Sequence, residues 1–87
     1  MSGTLYLVMA LRLPGFQQAV VQPHREFLDT LRGQGRLHLT GGFSDGSGGA
    51  YVLCNVASLA EAQAIVATDP LATQQASQLT VHEWITR

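Results

Sequence analysis

The chain has 87 residues, 46% of them apolar, and five Lys+Arg against six Asp+Glu give a formal net charge of −1. That length allows one hydrophobic core and leaves no room for a second domain, so residues 1–87 are expected to form a single unit; the apolar content excludes a disordered chain. The balanced charge offers no field for a phosphate backbone, no apolar run approaches the roughly 20 residues of a membrane span, and no basic leader with a cleavage site opens the chain, so neither nucleic acid nor membrane is an expected partner and a cytoplasmic location is expected.

Thr4 to Leu11 is a short, almost wholly apolar run, as suits a strand covered on both faces or central in a sheet. Pro14-Gly15, within Arg12 to Gln18, is a turn signal leading into a helix that starts near Val20 or Pro23. There His24, Phe27, Leu28 and Leu31 fall at i, i+3, i+4 and i+7 and share one face, while Arg25, Glu26, Asp29 and Arg32 fall outside that stripe and face solvent. Pro23 fits a first turn, and Gly33 or Gly35 ends the helix.

Leu37 to Phe43 reads as a second strand, with Leu37, Leu39 and Gly41 on one face and His38, Thr40 and Gly42 on the other. The glycine-rich Ser44 to Gly49 is a loop, and Ala50 to Val56 a third strand. Cys54, the lone cysteine, falls in that apolar run and reads as a buried, inert thiol; with no partner for an intramolecular disulfide it agrees with a reducing compartment. Ser58 and Glu61 form a capping-box pattern before the stripe Leu59, Ala62, Ile65 and Val66, a second helix that Pro70 stops by Asp69. After a polar stretch, Thr80 to Ile85 supplies the last strand.

This order, β-α-β-β-α-β, predicts an α+β, ferredoxin-like fold in which both helices lie on one face of an antiparallel sheet. Counting directions along it brings the start of the first helix, the end of the second, the Arg12 to Gln18 turn and the glycine loop to one rim. His24 and Asp69 come from the first two of these segments. A His beside a carboxylate is a serviceable general acid/base, and a polar ring on an apolar stripe needs a hydrogen-bond partner. The same pattern also fits a plain structural role, with His24 packing the helix start and Asp69 only ending the second helix. The rim offers Arg12, Gly42, Phe43 and Ser44 as substrate-binding positions.

Other chemistry has little support. His38 and His82 lack the spacing of a zinc site, so no metal is expected, and the glycine loop lacks the Lys-Ser/Thr of a phosphate-binding loop, so no nucleotide cofactor is expected. Trp84 reads as core or subunit-interface filling. The bare sheet face left by two same-side helices predicts a homodimer.

Pro23-His24 with Phe27-Leu28 and Leu31, then Leu39-Thr40-Gly41-Gly42-Phe43, Ser58-Leu59 with Glu61-Ala62, Asp69-Pro70, and Val81 to Trp84 resemble the YCII-related domain along nearly its whole length. The resemblance implies a ferredoxin-like fold pairing as a dimeric α+β barrel, with His24 and Asp69 as the active pair. Family members often carry Arg where this chain has Gln22, Gly-Pro where it has Gly41-Gly42, and an acidic residue near the present Arg12 and Leu13. The expectation is a lyase- or isomerase-like enzyme acting on a small organic molecule; the alternative is a non-catalytic ligand-binding or dimerisation module.

Overall fold

A computed structural model describes residues 3–87. Four strands, β1 (Thr4–Arg12), β2 (Leu37–Gly42), β3 (Gly48–Leu53) and β4 (Ser77–Ile85), form one sheet in the order β2-β3-β1-β4, every pair antiparallel. Helix α1 (Val21–Gly33) joins β1 to β2, α2 (Leu59–Val66) and the single turn α3 (Pro70–Thr73) join β3 to β4, and a 3-10 turn at Gln18–Val20 leads into α1. The result is the ferredoxin-like α+β arrangement.

The apolar β1 takes an inner position between β3 and β4, as its lack of polar alternation requires. Tyr6 and Val8 on one side of it, with Tyr51 and Leu53 of β3, pack against Leu28 and Leu31 of α1 and Ala62 and Val66 of α2. A second cluster of Ala10, Val20, Leu71 and Ala76 closes the end where α1 begins. Leu5, Leu7 and Met9 point to the opposite side, which carries no helix.

Local chemistry sets the helix ends. Pro23 lies in the first turn of α1, and Gly35 at φ +73° lets the chain reverse while its N–H and that of Arg36 donate to Arg32 O and Leu31 O. Ser58 Oγ accepts from Glu61 N at 3.1 Å, the cap of α2.

Four expectations are corrected. Leu37 and Leu39 do not share a face: a bulge at His38 pairs Leu37 with Leu53 above the core and Leu39 with Val52 on the open side, where Leu39 is 57% exposed. Cys54 lies just beyond β3 and is only half-buried, with its Sγ 3.4 Å from Gly35 O. The polar stretch after Asp69 contains α3, because Pro70 opens a new helical turn as well as ending the segment before it. β4 begins at Ser77, three residues earlier than the sequence pattern suggests, since Gln78 and Leu79 continue the ladder to Leu11 and Ala10.

Glycine is required where β3 enters the sheet. A Cβ on Gly48 would collide with Ala10 O, and one on Gly49 would stand 2.5 Å from Gly41 O. These two residues bring β1, β2 and β3 together at the end of the sheet that bears the site.

Candidate functional site

Asp69 is held at the junction of α2 and α3 by the residues around it. Its extended backbone (φ −62°, ψ 131°) is the geometry imposed on a residue before proline, and its side chain N-caps α3 by accepting from Leu71 N at 2.9 Å. The carboxylate points inward and is 0% exposed. A buried charge is tolerated only when it is hydrogen-bonded. Two further donors complete the set: His24 Nδ1 donates to Oδ1 at 2.8 Å and Tyr51 Oη donates to Oδ2 at 2.9 Å.

His24 comes from the first turns of α1, on the apolar stripe that α1 turns toward the sheet. Its ring makes a triangle with those of Phe27 and Tyr51, whose centroids are 6.3 and 5.9 Å from it and 6.1 Å from each other, and its side chain is 18% exposed. Donation from Nδ1 to a carboxylate fixes the tautomer and leaves the Nε2 lone pair free. Nε2 makes no hydrogen bond among the described residues, and no buried side-chain nitrogen or oxygen among them lacks a partner. The one unoccupied valence of the network therefore has access to the surface.

That surface is a pocket of about 480 Å³. His24 and Tyr51 line it together with Arg12 from the end of β1, Phe16 from the turn that follows, Arg25 and Arg32 from α1, and Gly41, Gly42, Gly48 and Gly49 from the β2–β3 hairpin. The floor is low because Ala10, Gly49 and Gly42 are cross-strand neighbours, in register beside the row Val8, Tyr51 and Thr40. Burial, the Asp69 charge and the hydrogen bond to it push the Tyr51 hydroxyl far above its ordinary range, which favours the protonated phenol as donor to Asp69.

The structure thus brings Arg12, His24 and Gly42 to one pocket with Asp69 directly behind it. Phe43 and Ser44 are not among its lining: Phe43 is half-buried in the hairpin turn, its N–H on Gly48 O, and Ser44 is exposed. Sequence reasoning missed Tyr51 and Arg25. Tyr51 carried a usable signal, since a phenol inside an apolar strand must find a polar partner. Arg25 falls off the apolar stripe, which signals only solvent exposure; it is exposed, but on the pocket side. Among the described residues no group of three or more His, Cys, Asp or Glu is placed to hold a metal ion, and no helix is long and apolar enough to cross a membrane.

Fold and site define a class: a ferredoxin-like α+β protein with a His and a buried Asp meeting at one end of its sheet. The model of the YCII-related domain matches residues 4–85, and the chain belongs to that family. It is 46% identical over 79 residues to the uncharacterized protein YjpA of Bacillus subtilis strain 168, which covers 91% of this chain and 92% of that one. Among solved structures it superposes with a TM-score of 0.71 on the 5-chloro-2-hydroxyhydroquinone dehydrochlorinase of Burkholderia phenoliruptrix AC1100, determined in complex with 2,5-dihydroxybenzoquinone. That superposition covers 92% of each chain at 18% identity, a likeness of fold.

Proposed function

We propose that the protein is an enzyme in which His24 Nε2 takes and returns a proton on a small organic molecule while Asp69 orients the ring and stabilises its cation. The observation that carries this reading is the asymmetry of the imidazole: Nδ1 is committed to a wholly buried carboxylate and Nε2 opens on a pocket. A side chain so fixed is what proton transfer from carbon or oxygen needs. Returning the proton at another atom is an isomerisation. Losing a leaving group with its electron pair after the proton has moved is an elimination. The dehydrochlorinase that shares the fold supports a reaction of the second type, and its quinone complex supports a small cyclic ligand.

The working unit in this reading is a homodimer. Leu5, Leu7 and Met9 of β1 stay half-buried on the open side, and Leu39 and Trp84 there are 57% and 48% exposed, an apolar face of the kind that a second copy covers. A cytoplasmic setting goes with it, since the single thiol has no disulfide partner within the chain.

The test is a panel of enolisable lactones and hydroxylated aromatics followed by NMR in deuterated buffer for proton exchange or turnover. His24→Gln should lower the rate of any substrate found by about 10²- to 10⁴-fold, the range for a positioned acid/base. A rate unchanged by that substitution refutes the role given to His24.

A further inference from the structure

Three arginines line the pocket beside His24, and two of them lack a counter-ion. Arg32 Nη1 is tied to Asp29 Oδ1 at 2.7 Å. The remaining ion pairs among the described residues are His24 with Asp69 and Arg36 with Glu61, so neither Arg12 nor Arg25 makes one; Asp29, the acidic residue in the lining, is taken up by Arg32. The chain as a whole carries a formal charge of −1, so two unpaired guanidinium groups at one pocket are a local concentration that composition does not supply.

Arg12 is also held in place. Its guanidinium carbon lies 4.2 Å from the centroid of the Phe16 ring, and Phe16 lines the same pocket. Attraction to the ring face is non-directional for the cation and uses none of its N–H donors, which stay available for an oxyanion such as a carboxylate. The adjacent floor of Ala10, Gly49 and Gly42 presents nothing larger than a methyl group. A flat floor beside an aromatic wall and an arginine fork fits a flat molecule with a charged oxygen.

We infer that the pocket selects a planar ring compound bearing an anionic oxygen, either a carboxylate or an ionised phenol or enol, with Arg12 as its principal anchor and Arg25 as the second cation. The inference deepens the proton-transfer reading by naming its substrate class, and uses that reading only for the step that follows binding.

The test compares three probes of similar shape, benzoate, pentafluorophenolate and the neutral benzamide, titrated at pH 7 into isotopically labelled protein and read at the backbone amides of Gly42 and Gly49. At least one anion should bind about tenfold more tightly than benzamide, the effect of one charge-assisted hydrogen bond at a partly exposed site. Arg12→Gln and Arg25→Gln should each erode that preference by about threefold to tenfold, while benzamide is unaffected. Preference for benzoate identifies a carboxylate ligand, and preference for pentafluorophenolate an ionised phenol or enol. Equal binding of all three, no anion-induced shift up to the solubility limit, or an anion preference that survives Arg12→Gln/Arg25→Gln overturns the inference. Arginine-dependent anion binding without a His24-dependent reaction would instead refute the proton-transfer reading and leave this one standing.

Discussion

The two faces of the sheet solve opposite problems with neighbouring residues. On the covered side Tyr6, Val8, Tyr51 and Leu53 are all nearly inaccessible, and the one buried charged side chain among the described residues, Asp69, has a donor for each demand its oxygens make. On the open side Leu5, Leu7 and Met9 alternate with those same β1 residues yet remain half-buried, and Leu39 and Trp84 are largely exposed. One strand thus supplies a finished core and an unfinished one. The difference teaches where to look for chemistry and where for assembly: polar groups are sequestered on the covered side, and apolar area is left over on the other.

The sharpest way to break this contrast is to remove the charge from the covered side. Asp69→Ala strands the Tyr51 hydroxyl, the His24 Nδ1–H and the Leu71 N–H together, and should cost about 3–5 kcal/mol of folding stability in urea denaturation, at about 1–3 kcal/mol for each buried donor left without a partner and less for the partly exposed His24. The complementary change is on the open side. Leu39→Glu with Trp84→Glu should leave the protomer folded, since both side chains are exposed in it, but should weaken self-association by about 30-fold or more, as loss of an interface hot spot does. Light scattering of the wild type at micromolar concentration should give twice the 9.3 kDa chain mass, and the double variant should move toward a single chain.

Alkali probes the covered side more gently. The Tyr51 pKa in the folded protein lies above its unfolded value of 10.0, so the associated stability is complete below pH 10 and is lost as pH rises and the unfolded chain ionises first. Between pH 10 and 11 the stability read from denaturation should fall by about 1 kcal/mol from this group, with a limiting slope of about 1.4 kcal/mol per pH unit above that range, and Tyr51→Phe should remove that contribution. At neutral pH the same variant should cost only about 1 kcal/mol, because Asp69 Oδ2 loses one donor while the ring keeps its packing. A larger neutral-pH loss would show that Tyr51 carries more of the carboxylate than His24 and the Leu71 N–H do.

Much of this was legible in the sequence, for reasons that can be stated residue by residue. The apolar run of β1 placed it inside the sheet, the Ser58 cap fixed the start of α2, and the direction count along six elements put His24 and Asp69 at one rim. The His38 bulge was not legible, because period-2 alternation assumes a regular ladder and a single extra residue inverts every face that follows it. Nor was α3: a four-residue helix has no period to read, and Pro70 signals an end and a beginning alike. The pocket-side placement of Arg25 escaped because helical periodicity separates buried from exposed positions and is silent on what an exposed position overlooks.

One carboxylate serves two masters, and that duplication has a consequence for how tolerance to change should be read. Asp69 caps α3 through Leu71 N and grips His24 with the same oxygen, Oδ1, while its other oxygen anchors Tyr51 of the central sheet. In a library of single substitutions sorted only for folded, abundant protein, position 69 should be depleted about as strongly as in one sorted for activity. Position 24 should be depleted in the second alone, because with His24 gone Asp69 still keeps two donors. The disagreement between the two libraries, more than the severity of either, would separate the residue that does the chemistry from the residue on which the chemistry is built.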